Sequence, residues 1–139
     1  MRNFKKAYYL LFYKLYQFFK SLSEDSFEEW KAGLVIQTLQ IFILAIIWLQ
    51  ITIITKNDII PNTNPKIWII PLALIIAILN YHVFLGKKLW KNYEMEFKNY
   101  SKKKNRVINF IVLCIVFGVF ALLILSYYQL SQIDWSKYR

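Results

Sequence analysis

The chain of 139 residues has little cysteine, histidine, glycine or proline. Its single cysteine, Cys114, excludes an intrachain disulfide and a cysteine-based metal site. Three glycines cannot build a glycine-rich phosphate loop. The lone histidine, His82, has no second His, Cys or carboxylate beside it at metal-ligand spacing. The sequence therefore predicts a protein without a metal or a cofactor, and one that is not an enzyme.

Charge is missing from three long stretches, residues 32–55, 67–85 and 107–130, although charged residues make up 19% of the chain. Each stretch is long enough to cross the ~30 Å hydrocarbon core as a helix. The hydrophobic fraction of 58% exceeds the roughly 45–50% of soluble domains. The sequence predicts an all-α integral membrane protein that forms a single domain with three transmembrane helices.

The segments that flank these spans are basic, and the formal net charge is +10. The loop between spans one and two, residues 56–66, is polar and has only Lys56 and Lys66 beside Asp58. Because positively charged segments stay on the cytoplasmic side, we expect a multi-pass protein of the bacterial inner membrane with its N-terminus in the cytoplasm and its C-terminus outside. The position of the basic segments beside the spans is explained by the orientation of the protein in the membrane. Nucleic acid is therefore not an expected partner. A bilayer with anionic headgroups is expected. The lysines expected at lipid headgroups are Lys5, Lys6, Lys87, Lys88, Lys102, Lys103 and Lys104.

The N-terminal segment, residues 3–22, predicts an amphipathic helix in the membrane interface. Its apolar set recurs at alternating spacings of four and three, which places the set on one helix face. The lysines fall on the other side, with Tyr9, Tyr13 and Tyr16 among them. A coiled-coil seam has the same spacing, but the segment has too few heptads to define one. The residues of the apolar face are Phe4, Tyr8, Leu11, Leu15, Phe18 and Leu22.

A second amphipathic segment, residues 86–101, follows span two and is predicted to continue its helix along the membrane surface. Trp90, Tyr93, Phe97 and Tyr100 repeat in it at spacings of three, four and three. They are candidates for an interfacial or partner-binding surface. The same surface is expected to include Trp30 at the start of span one and, from the N-terminal segment, Phe4, Tyr8, Leu11, Leu15 and Phe18.

Three local features are predicted around these segments. Ser26 with Glu29 three residues later is typical of a capping box that begins a helix. Residues 102–105 are predicted to turn the chain before span three. An acidic patch, formed by Glu24, Asp25, Glu28 and Glu29, is expected on the same side as the lysines.

Four amides lie at similar depth in the cytoplasmic portions of the spans. They are Gln37, Gln40, Asn80 and Asn109, roughly 3–13 Å below the membrane edge at ~1.5 Å per residue. Amides at one depth can hydrogen-bond across helices and fix the packing of the bundle. The alternative is a polar patch that contacts the transmembrane helix of a partner.

Short motifs at the span ends carry a resemblance over most of the chain. They are Glu29-Trp30-Lys31-Ala32-Gly33, Trp90-Lys91-x-x-Glu94, Glu96-Phe97, Lys102-Lys103-Lys104-Asn105 and Ser131-Gln132-Ile133-Asp134-Trp135. Together they resemble a loose group of short, uncharacterised bacterial three-span membrane proteins. That group has no settled activity to transfer. Such reading frames often accompany secreted-toxin or defence loci, so the resemblance implies a role as an immunity protein.

Three functions remain open from the sequence. The first is a non-enzymatic protein that binds a protein partner or itself, as an accessory subunit or as an immunity protein against a membrane-active toxin. The second is an effector that oligomerises into a pore, although uncharged spans suit only a weakly selective one. The third is a membrane enzyme that acts on lipid through His82. The absence of ionisable residues from the spans favours the first over transport.

Overall fold

The computed structural model describes residues 1–23, 26–56 and 66–137, and these residues form helices without a β-strand. The α-helices are α1 (Arg2–Leu22), α2 (Glu28–Thr55), α3 (Lys66–Asn80), α4 (Glu94–Lys98) and α5 (Lys102–Ser131). A π-helical turn, Tyr81–Gly86, extends α3, and 3-10 turns cover Leu89–Tyr93 and Trp135–Lys137. Residues 57–65 of the predicted polar loop, and Glu24 and Asp25 of the acidic patch, lie outside the described residues.

Three helices are long and apolar enough to cross a membrane, which confirms the predicted number of spans within the described part of the chain. They are Glu28–Thr55, Lys66–Gly86 and Lys102–Ser131, with mean hydropathies of 2.2, 2.1 and 3.1. At ~1.5 Å per residue, α2 and α5 are about 42 and 45 Å long, more than the ~30 Å hydrocarbon core. Their ends therefore project beyond it.

Helix α2 is the centre of the bundle and packs against both α3 and α5. It runs parallel to α5, because Phe42 lies 5.2 Å from Phe120 between ring centroids and Gln50 bonds Ser126 further along both helices. It runs antiparallel to α3, where Gly33 faces Leu85 and Gln40 meets Asn80. The N-terminal ends of α2 and α5 and the C-terminal end of α3 therefore lie together, at what we call the α1 end.

The helix of span two does not continue unbroken into the second amphipathic segment. The Lys87 amide donates to the carbonyl of His82 at 2.9 Å, and Lys88 then adopts a left-handed conformation with φ of 46°. A left-handed residue cannot continue a right-handed helix, so the helix of span two ends here. The chain that follows packs on α1 at the end of the bundle. We call residues 89–100 the cover segment. The indole of Trp90 donates to the Phe84 carbonyl at 3.3 Å and satisfies a group near the helix end.

Two predicted helix boundaries are wrong. Residues 102–105 are the first turn of α5 rather than a chain reversal, because the Ser101 side chain caps the helix by accepting from the Lys104 amide at 3.2 Å. The capping box at Ser26 and Glu29 does not form, because Phe27 occupies the N-cap of α2 and makes no side-chain cap. Glu28 and Glu29 still lie in the first turn, where carboxylates favour the helix dipole.

Candidate functional site at the α1 end

Helix α1 lies across the α1 end and is enclosed between the bundle and the cover segment. Its first half reaches α3, where the Tyr8 hydroxyl donates to Asn80. Its second half reaches α5, where Lys14 donates to Asn105. Rings of the cover segment stack on the opposite side of α1. This helix is therefore part of the protein core at its middle, and exposed near its two termini at Phe4, Phe18 and Leu22.

An aromatic cluster holds α1 in this position. Phe12, which is 0% exposed, stacks on Phe84 with ring centroids 4.2 Å apart and planes inclined by only 5°. Phe12 also lies 5.4 Å from Trp90, and Tyr13 lies 5.5 Å from Phe97. Such pairs each add ~0.5–1.5 kcal/mol beyond the area that they bury. The cluster therefore makes α1 and the cover segment one packed unit.

The tyrosines of α1 correct the predicted orientation of this helix. Tyr13 is buried, and Tyr9 and Tyr16 lie 5.7 Å from Tyr93 and 5.2 Å from Trp90 respectively. Tyr16 does share a side of α1 with a lysine, since Lys20 Nζ lies 5.9 Å from its ring, but the cover segment packs on that side. The sequence leaves two aromatic faces on α1, and the one with Tyr9, Phe12 and Tyr16 packs against protein because the cover segment offers it rings to contact.

A closed ring of three hydrogen bonds joins α1, α2 and α3. The Tyr8 hydroxyl donates to Asn80 Oδ1 at 2.8 Å, Asn80 Nδ2 donates to Gln40 Oε1 at 2.7 Å, and Gln40 Nε2 donates back to the Tyr8 hydroxyl at 2.9 Å. Asn80 is only 6% exposed. Burial raises the pKa of the Tyr8 hydroxyl, against the smaller opposing effect of its bond from Gln40. Each member both donates and accepts, so these polar atoms are paired in an apolar setting.

Ion pairs surround the edge of this unit. Lys6 of α1 pairs with Glu96 of the cover segment, and Lys88 pairs with Glu29 of α2 at 2.8 Å. The hydrogen bond to Glu96 raises the pKa of Lys6. These side chains are partly solvent-exposed, and exposed pairs contribute only ~0–1 kcal/mol each. These ion pairs therefore add little to the free energy of folding.

Of the four predicted amides, the structure brings Gln40 and Asn80 into the ring. Gln37 is separate from it and donates to the Ala73 carbonyl of α3 at 3.4 Å. Asn109 is exposed on α5 and lines a cavity between α5 and α1. Three of the four predicted amides therefore form hydrogen bonds between helices, and Asn109 lines a cavity.

The predicted aromatic surface is divided as well. Trp90 and Phe97 are buried inside the α1 end, so they hold the fold together and do not present a surface. Leu15 is also buried, Trp30 is exposed, and Leu11 is half-buried beside the cluster. Tyr93 and Tyr100 are half-buried at its edge, 6.0 and 5.8 Å from Phe97.

The predicted headgroup lysines lie mostly on the outside of the α1 end. Lys5, Lys87, Lys102 and Lys103 are exposed. Lys104 is also exposed, and its Nζ lies 3.7 Å from the centroid of the Tyr100 ring. Lys6 and Lys88 are engaged with Glu96 and Glu29. The outer surface of this end therefore stays strongly basic.

Two residues were missed by the sequence reasoning. Phe12 is the centre of the aromatic cluster, and its spacing from Tyr9 and Tyr16 is a helical stripe that could have revealed it. Lys14 is nearly buried at 8% exposure, and no sequence pattern distinguishes it from the exposed lysines around it.

His82 is exposed at the end of span two. Among residues 1–23, 26–56 and 66–137, no three His, Cys, Asp or Glu side chains lie close enough together to hold a metal ion. Comparison of the chain with protein-family models, curated proteins and solved structures gives no match.

Proposed function

We propose that this chain is a non-enzymatic protein of the bacterial inner membrane that binds the transmembrane helix of a protein partner on the open face of α5. Its role would be that of an accessory subunit, or of an immunity protein that blocks a membrane-active toxin. The basic α1 end supports an orientation with that end in the cytoplasm, because positive charge is retained there.

The degree of burial of α5 carries the proposal. In the most apolar 18-residue stretch of α5, only 6% is buried inside the protein, whereas the corresponding stretch of α2 is 28% buried. Helix α5 packs on α2 and, near its N-terminal end, on α1, and large apolar side chains between Val107 and Leu125 are exposed. A Cβ placed on Gly118 would meet nothing within 4 Å, so another helix can approach the α5 backbone closely at this point.

The polar residues of the spans support binding over pore formation. At the end of the bundle opposite α1, Gln50 donates to Ser126 at 2.9 Å and to Gln129 at 3.1 Å. At the α1 end, Gln40 and Asn80 are bonded within the ring. Side chains that are paired inside one molecule do not line a water-filled path between several molecules.

Substitution of Gly118 with Leu tests the proposal. The open space at Gly118 accommodates the larger side chain, so the melting temperature in detergent should not fall, whereas a stoichiometric partner that co-purifies with the wild type should be lost. Thr38→Leu adds bulk at another exposed position, on α2, and should retain the partner. A photoreactive residue in place of the exposed Leu125, two turns along the same face as Gly118, should crosslink to the same partner.

Two results would contradict the proposal. One is repeated isolation of the chain alone, with no crosslink from α5. The other is equal capture of the partner by the wild type and Gly118→Leu. Depolarisation of cells on expression, together with dye leakage from liposomes that contain the purified protein, would instead favour a pore.

A further inference from the structure

A groove of about 600 Å³ lies between α1 and α5, outside the aromatic cluster and the hydrogen-bond ring. Its volume falls within the ~300–1,000 Å³ of ligand sites in proteins. Val35 of α2 and Val112 and Val116 of α5 are half-buried in its walls, whereas Phe18 and Phe117 are exposed at its rim. The groove is therefore apolar along most of its length and accessible from the side of the bundle.

One wall of this groove carries a nearly buried cation. Lys14 lines the groove and is 8% exposed, and its Nζ donates to the neutral Asn105 Oδ1 at 2.7 Å. Burial lowers the pKa of Lys14. The ion pairs between described residues use Lys6, Lys88, Lys91, Lys98 and Lys137, and Lys14 is in none of them. A buried charge without a counter-ion is costly, so this site favours an anion.

Three further polar residues line the groove. Gln17 and Ser21 of α1 and Asn109 of α5 also line the groove, and Asn109 lies one helical turn beyond Asn105. From Asn109 to Phe117, the groove follows α5 for about 12 Å at ~1.5 Å per residue. A ligand that fits has an anionic or polar end at Lys14 and a thin apolar part directed along α5.

We propose that the groove between α1 and α5 binds one anionic phospholipid, with the headgroup phosphate at Lys14 and an acyl chain against Val112 and Val116. The charge of Lys14 complements the phosphate, and the depth of the site suits the leaflet at the α1 end. An apolar transmembrane helix brings no anion to Lys14, so it is the poorer occupant.

Native mass spectrometry of the full chain in mild detergent tests the proposal, with phosphatidylglycerol and phosphatidylcholine as probes. The wild type should retain one phosphatidylglycerol with about a fivefold preference over phosphatidylcholine, the size expected for one lysine at an anionic headgroup. Lys14→Gln should remove most of that preference. Lys20→Gln, which changes an exposed lysine of α1 that does not line the groove, should keep it within about twofold.

A second variant separates the groove from general attraction of lipid to a basic protein. Val116→Trp fills the groove and should abolish retention of both lipids, while the melting temperature without added lipid stays at the wild-type value. If Lys14→Gln destabilises the fold, Lys14→Arg keeps the charge and should keep the preference.

The lipid proposal is overturned if Lys14→Gln and Lys20→Gln lose the preference equally, because surface charge then accounts for it. It is also overturned if Val116→Trp binds both lipids normally. A third contrary result is a change of oligomeric state in Val116→Trp without a change in lipid retention, since a second copy of the chain would then occupy the groove.

Discussion

The Tyr8→Phe substitution isolates the contribution of the hydrogen-bond ring to the docking of α1. It removes one hydroxyl and keeps the aromatic ring that lies 5.0 Å from Phe84. The hydroxyl both donates to Asn80 and accepts from Gln40, so both bonds are lost together. The bond between Asn80 and Gln40 remains.

The expected cost follows from the groups that lose their partner. A buried polar atom without a hydrogen bond costs ~1–3 kcal/mol, whereas hydrogen bonds between membrane helices average only ~0.6 kcal/mol. Asn80 is 6% exposed and cannot turn freely to solvent. We therefore expect a loss of about 1–2 kcal/mol, which is a factor of about 5–30 in the docking equilibrium of α1.

Hydrogen–deuterium exchange measures this equilibrium, because the amides of α1 exchange when the helix leaves its site. In Tyr8→Phe, exchange over α1 should rise by about 5–30-fold, and exchange in the middle of α5 should not change. Tyr9→Phe is the matched control. The Tyr9 ring packs in the same cluster, and its hydroxyl makes no hydrogen bond to the described residues, so the effect should stay within about twofold. Equal protection of α1 in the two variants would refute the reasoning.

Three further substitutions or conditions address other parts of the structure. Phe12→Ala empties the centre of the cluster, and the free energy of unfolding in detergent should fall by about 3–5 kcal/mol, whereas Phe4→Ala at an exposed position should stay within about 0.5 kcal/mol. Lys56 ends α2 in a left-handed conformation with φ of 54°, which glycine adopts without strain, so Lys56→Gly should raise the free energy of unfolding by about 1 kcal/mol. Lys103 lies within a helix, so Lys103→Gly should lower the free energy of unfolding by about 0.5–1 kcal/mol. The raised pKa of Tyr8 contributes stability that is fully present below about pH 10 and is lost as the pH rises through the folded-state pKa. The melting temperature should therefore fall less between pH 9 and pH 11 in Tyr8→Phe than in the wild type, and an equal fall would exclude this linkage.

The number of spans was predictable because each depends on a local property, the absence of charge over a length that crosses the bilayer. The boundary before α5 was not, because the lysines of residues 102–105 look like a surface turn. These residues begin a helix because the side chain of Ser101 caps its N-terminus. A helix that begins with lysines also opposes its own dipole, which makes the observed start harder to expect.

The position of α1 could not be predicted from its own sequence. The segment has two aromatic faces, one with Phe4 and Phe18 and one with Tyr9 and Phe12, and either can face lipid or protein. Which face packs on protein is decided by contacts with Phe84, Trp90 and Phe97, which lie more than 60 residues beyond the end of α1. The similar depth of Gln40 and Asn80 did indicate a contact between their helices. The sequence could not indicate that Tyr8 would complete it.

The contacts that hold α1 also determine when this helix can pack during synthesis of the chain. Tyr8 bonds a residue 72 positions later, Lys6 one 90 positions later and Lys14 one 91 positions later. Helix α1 is synthesised first, yet its binding site does not exist until α3, the cover segment and the start of α5 have followed it. Until then its apolar residues have only the membrane surface to cover them. The amphipathic pattern along α1 thus suits a helix that binds the membrane surface during synthesis and packs against the rest of the protein last.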